Sequence, residues 1–157
     1  IGFWMAGRLE AKLIPQYVIA QIIGAVLAGV LLRILFPEHT GLGGTLPAID
    51  VPRAFLLEVV ISFALMYVIL NVSTGELEKG IMAGAAVGGM VALLALFAGP
   101  VTGASMNPAR SIGPAVAAGN LTSLWIYILA PVVGMCLATL FCRLTGNNCC
   151  PKPTTVA

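Results

Sequence analysis

Three features of this sequence predict an all-α membrane protein. First, 59% of its 157 residues are hydrophobic and 9% charged, where a soluble domain carries about 25% charged residues; mean hydropathy is +1.02. Second, four apolar runs, at residues 13–35, 54–70, 80–97 and 124–141, are long enough to cross a hydrocarbon layer. Third, residues 99–117, GPVTGASMNPARSIGPAVA, lie between the last two runs and are too polar and too rich in Gly and Pro for an ordinary membrane helix. Irregular backbone at membrane depth is tolerated only where it is buried in protein or lines a watery cavity.

In chain order, residues 1–7 form a short apolar piece that closes at Gly7-Arg8. The span at 13–35 follows, interrupted by Pro15, Gln16 and Gln21. Pro37, Gly41, Gly43, Gly44 and Pro47 break any helix before the second span. Residues 71–79 are a short polar turn. The third span carries Gly80, Gly84 and Gly88, a small-xxx-small spacing that permits close helix approach in lipid. Asn107 is a good helix N-cap and Pro108 suits the first helical position, so 107–117 reads as a helix stopped by Gly119 and Asn120. At about ten residues and ~1.5 Å each, it crosses only half of a ~30 Å layer. After the fourth span, residues 143–157 form a polar tail.

Lysine and arginine set the orientation. With the N-terminal end inside, Arg8, Lys12, Lys79, Arg143 and Lys152 are cytoplasmic and Arg33 and Arg53 outside, Arg110 being set apart. Both termini are therefore expected in the cytoplasm, in a plasma or inner membrane. The net charge of +2 is scattered, and no basic patch with interleaved aromatics points to nucleic acid. No nucleophile with a base, paired carboxylate or phosphate loop suggests an enzyme. No cofactor or metal is expected; His39, beside Glu38, reads as a solvated rim residue. The four cysteines, Cys136, Cys142, Cys149 and Cys150, argue against a disulfide framework because adjacent cysteines rarely bridge. Cys149-Cys150 reads as a reduced tail pair, with acylation or a soft metal as alternatives.

An internal repeat adds a constraint. Residues 17–28, YVIAQIIGAVLA, align without a gap with 127–138, YILAPVVGMCLA, and Ile1-Gly2 matches Ile112-Gly113. By this register residues 1–7 are the end of a first half-helix, and a first Asn-Pro-Ala would lie just before residue 1. Four full spans and one complete half-helix then make the chain part of a protein with six spans and two half-helices.

The run from Gly99 to Ala117, centred on Asn107-Pro108-Ala109-Arg110, resembles the second signature loop of the major intrinsic proteins, the aquaporins and glycerol facilitators. Its wording is closest to the nodulin-26-like and related microbial members. The resemblance implies an aquaporin-like right-handed bundle, here spans three to six with the second re-entrant half-helix and a remnant of the first. It implies passive passage of water and small uncharged solutes, a surrounding lipid bilayer and a homotetramer. In the family, Asn107 donates to the permeating oxygen and Arg110 forms the outer constriction. Ala95 and Ala104 fall at further constriction positions, and two alanines imply a wide filter suited to glycerol, urea or metalloid acids. The carbonyls of Gly103, Ala104 and Ser105 line the path. Glu58, the one acid in the middle of a span, accepts loop N–H groups in the family; as a proton relay it would instead mark an ion-coupled transporter. Gln21 is expected to play a related buried role. A third reading is a truncated, non-conducting membrane protein, since a pore lined by two half-helices cannot close around one.

Overall fold

The computed structural model describes residues 1–73 and 81–145; Lys79, Gly80, Cys149, Cys150 and Lys152 lie outside them. In order come α1 (Gly2–Met5), a 3₁₀ turn (Ala11–Leu13), α2 (Ile14–Leu35), α3 (Val51–Val72), α4 (Ile81–Thr102), α5 (Pro108–Ala118) and α6 (Leu124–Leu144). Four helices, at Ala11–Leu35, Val51–Val72, Met82–Thr102 and Leu124–Leu144, are long and apolar enough to span a membrane. No strand occurs among the described residues.

Local chemistry sets the helix ends. Pro15 lies in the first turn of α2, where its missing N–H costs nothing, and the helix stops at Leu35, two residues before Pro37. Asp50 caps α3 by accepting the Arg53 N–H at 3.3 Å, so α3 begins before residue 54. Helix α4 continues past Phe97 to Thr102, through Pro100. Proline there removes one bond close to the end, and Gly103 N–H still reaches Gly99 O at 2.9 Å. The irregular segment thereby shrinks to residues 103–107. Asn107 Oδ1 accepts the Ala109 N–H at 3.0 Å to start α5. Gly119, at φ +71°, closes α5 as Asn120 N–H bonds Ala115 O at 3.0 Å.

Helices α3 and α6 form the central pair, 33% and 39% buried, against 6% and 11% for α2 and α4. Their backbones meet at Gly134, where a Cβ would sit 2.8 Å from Ser62 Cβ and 2.9 Å from Phe63 N. Helix α2 packs on α5, where a Cβ on Gly29 would lie 2.6 Å from Gly113 O. Helix α4 meets α3 through Leu94, Ala98 and Ile61. The glycine stripe of α4 plays no such part among the described residues: a Cβ on Gly84 or Gly88 would meet nothing within 4 Å.

The short α1 is pinned to the ends of the central pair. Ala6 is buried with Met66, Leu70, Ala138 and Cys142. Arg8 Nη1 donates to Ser73 O at 2.8 Å and Ser73 Oγ at 2.6 Å, and Arg143 Nη2 donates to Met5 O. Each short helix thus packs on the repeat mate of its own following span, α1 on α6 and α5 on α2. Cys136 is free, whereas Cys142 is disulfide-bonded. That departs from the sequence argument, which concerned adjacent cysteines; the neighbours of Cys142 are Phe141 and Arg143.

Candidate functional site

The loop from Gly103 to Asn107 is where the fold concentrates polar contacts. Gly103, Ala104 and Met106 all have positive φ, at +87°, +43° and +53°. For non-glycine residues that conformation costs of order 1–3 kcal/mol each and persists only where surroundings impose it. Here the imposing group is Glu58 of α3, fully buried. Its Oε1 accepts Thr102 Oγ1–H at 2.7 Å and Ser105 N–H at 3.0 Å, and its Oε2 accepts Met106 N–H at 3.2 Å. Thr102 Oγ1 in turn accepts the Ala104 N–H at 3.3 Å. Tyr127 of α6, also fully buried, donates its hydroxyl to Thr102 O at 2.6 Å. A carboxyl group that accepts from three donors is a fastened element.

A second clamp comes from the α2–α3 connection. Ala48 N–H bonds Val101 O at 2.9 Å, and Thr45 packs against Gly103, where a Cβ would lie 3.0 Å from Thr45 Cγ2. Thr45 Oγ1 donates to Ser111 Oγ at 2.7 Å, Ser111 and Ser105 share a 2.6 Å contact, and Ser105 Oγ donates to Asn107 O at 3.0 Å. Each hydroxyl has one proton. Since that of Ser105 goes to Asn107 O, Ser111 donates to Ser105, and the chain runs Thr45, Ser111, Ser105, Asn107. Arg110, exposed one turn into α5, donates from Nη1 to Gly43 O at 2.8 Å.

Of the residues picked out from sequence, the fold gathers Glu58, Gly103, Ala104, Ser105, Asn107, Pro108, Ala109 and Arg110 around this loop. Among the described residues no hydrogen bond claims the carbonyls of Gly103, Ala104 or Ser105. Ala104 is buried, while Ala95 is exposed on α4. Gln21, for which a buried role is expected, is exposed on α2 in this chain and forms no hydrogen bond among the described residues. Its helix touches the rest mainly through α5, and no other described span covers its remaining faces. Sequence reasoning missed Thr45, Thr102, Ser111 and Tyr127. Thr102 and Ser111 stood inside the polar stretch, and Tyr127 stood in the repeat. Thr45 gave no signal, because its role depends on a loop folding back over residues 66 positions away. No cluster of metal-ligating side chains occurs among the described residues.

Comparison with known proteins bears on what this arrangement does. A family model described as major intrinsic protein matches residues 1–142. Over 152 residues the chain is 46% identical to aquaporin NIP1-4 of Oryza sativa subsp. japonica, covering 94% of this chain and 56% of that protein. It is 45% identical over 135 residues to nodulin-26 of Glycine max, covering 85% and 50% respectively. The chain spans about half the length of the curated relatives it matches. The solved structure of the aquaglyceroporin from Plasmodium falciparum superposes with a TM-score of 0.74 at 25% identity, covering 96% of this chain and 70% of that one.

Proposed function

The chain belongs to the major intrinsic protein family, and from that footing we propose that it acts in a passive transmembrane channel for water and small uncharged solutes. The observation that carries this reading is the half-helix α5, whose capped N-terminus and Arg110 stand beside a loop fastened by Glu58. Helix α5 has 11 residues, so at ~1.5 Å each its start lies near mid-membrane. There the dipole is positive, and Asn107 spends its Oδ1 on Ala109 N–H, leaving its NH₂ group to donate to a passing oxygen. A water so held by two donors accepts and does not relay a proton onward, and cations are repelled.

Because Glu58 takes N–H groups of the loop, the carbonyls of Gly103, Ala104 and Ser105 are left to accept from the solute. A neutral molecule exchanges bonds with water for bonds with Arg110, Asn107 and these carbonyls. An ion would shed hydration with no ring of opposite charge to replace it. The small side chains of Ala95 and Ala104 leave room for glycerol, urea or a metalloid acid. The protein acts as a transporter without chemical conversion, in a bilayer, as a homotetramer with cytoplasmic termini.

A second reading, a non-conducting membrane protein, draws on the exposure of α2, whose window is 6% buried. Stopped-flow light scattering of proteoliposomes in a glycerol gradient separates the two. The chain and the same chain extended by the sequence encoded upstream of Ile1 are each compared with an Arg110→Val variant. Faster glycerol entry than in empty liposomes, with selectivity changed by Arg110→Val, supports the channel. Rates equal to empty liposomes for glycerol and water, with insertion confirmed, overturn it.

A further inference from the structure

The geometry points to His39 as a proton-sensitive positioning residue for Arg110, acting through the turn that carries Gly43. This rests on the channel reading for its consequence but not for its structural core. Arg110 Nη1 is held by one described acceptor, the carbonyl of Gly43. That carbonyl belongs to a turn with two consecutive left-handed residues, Leu42 at φ +46° and Gly43 at φ +72°. Glycine adopts this freely, but Leu42 does not. Two hydrogen bonds close the turn: Gly44 N–H to Gly41 O at 2.7 Å, and Leu42 N–H to His39 Nδ1 at 3.2 Å. The latter satisfies an N–H on a residue that is only 4% exposed.

The imidazole accepts at Nδ1 only while neutral, with its proton on Nε2. When a second proton binds, Nδ1 becomes a donor facing another donor, and Leu42 N–H loses its partner. That bond is the one the Leu42 N–H makes among the described residues. The adjoining cavity of about 250 Å³ is lined by Leu32, Phe36, His39, Leu42 and Gly43. The charged residues nearest to His39 along the chain are Glu38 beside it and Arg33 in the last turn of α2, and Arg110 bonds Gly43 of the same turn. None of them forms an ion pair or hydrogen bond with His39 among the described residues. Histidine changes charge in the mildly acidic range. Protonation therefore releases the strained turn, withdraws the Gly43 carbonyl and leaves the guanidinium without its fixed orientation. A solute with several hydroxyls needs oriented donors more than water does. Acid on this face of the membrane lowers glycerol passage relative to water.

Two measurements test this in the whole protein. In proteoliposomes the glycerol-to-water permeability ratio is expected to fall by roughly threefold between about pH 8 and about pH 5. His39→Asn, whose amide oxygen accepts the Leu42 N–H at every pH, keeps the neutral-pH ratio and abolishes the transition. His39→Leu, with no acceptor, shows the low ratio throughout. A purely structural role would give the same ratio for Asn and Leu. A transition that persists in His39→Asn overturns the inference. Independently of any flux, amide hydrogen exchange at Leu42, corrected for intrinsic pH dependence, should lose protection on acidification in the wild type and retain it in His39→Asn. If neither form conducts, the channel reading fails while Leu42 exchange still decides this one; unchanged Leu42 protection overturns it.

Discussion

Glu58 and Ser105 stand 47 positions apart in sequence, yet Glu58 Oε1 accepts the Ser105 N–H at 3.0 Å in a fully buried site. This bond, with those to Thr102 and Met106, ties the middle of α3 to a loop whose backbone would not adopt its conformation alone.

Removing that carboxyl group takes an acceptor from three donors at once, of which Ser105 N–H is buried, Met106 N–H part-buried, and Thr102 Oγ1–H keeps a longer bond to Ala98 O. Unsatisfied buried donors cost about 1–3 kcal/mol each, with partial relaxation. Glu58→Ala is expected to lose about 2–4 kcal/mol, whereas Glu58→Gln, keeping one acceptor oxygen, loses less. Thermal unfolding in detergent, followed by tryptophan fluorescence, would rank wild type above Gln above Ala. An Ala variant as stable as wild type would mean that the loop is held from elsewhere.

Tyr127→Phe deletes one hydroxyl and leaves the ring packed among Ala54, Val59, Ile126 and Ala130. The lost bond to Thr102 O should cost about 1 kcal/mol. The same unfolding assay measures it, and Tyr17→Phe serves as a control because Tyr17 is 56% exposed and should change nothing.

Glycine positions separate packed from open helix faces. At Gly134 a methyl group would press on the backbone of α3 as well as on Ser62 Cβ. Gly134→Ala is expected to destabilise by about 1–3 kcal/mol, the usual cost of overpacking. Gly84→Ala meets open space and should leave stability unchanged or slightly raised, since alanine favours helix. Equal effects at the two positions would contradict the α3–α6 crossing.

The hydroxyl chain from Thr45 to Asn107 is suited to a double-mutant cycle. Ser111 sits at its centre, fully buried. Ser111→Ala and Thr45→Val each remove one end of the same bond, so the second change should cost less once the first is made. A coupling energy of about 1 kcal/mol is expected. Strict additivity of the two unfolding free energies would show that the bond contributes nothing.

What the sequence determined by itself is everything set by neighbouring residues or by hydrophobic length. Four apolar runs dictated four long helices. Asn107-Pro108 dictated a short helix start, through a cap that spans two residues, and Gly119 dictated its stop. That Glu58 has partners was legible because an acid in an apolar run needs them, whereas its fastening of the loop was implied only by the family resemblance. What only the tertiary structure decided depends on contacts between distant segments. It placed Thr45 on Ser111 and Tyr127 on Thr102, carried α4 through Pro100, left open space beside Gly84 and Gly88, and left Gln21 exposed. Periodicity marks a residue as helical and apolar but does not say which face meets another helix. That choice belongs to the whole set of packing partners, and a backbone carbonyl such as Gly43 O or Thr102 O carries no side-chain identity by which the sequence could announce it.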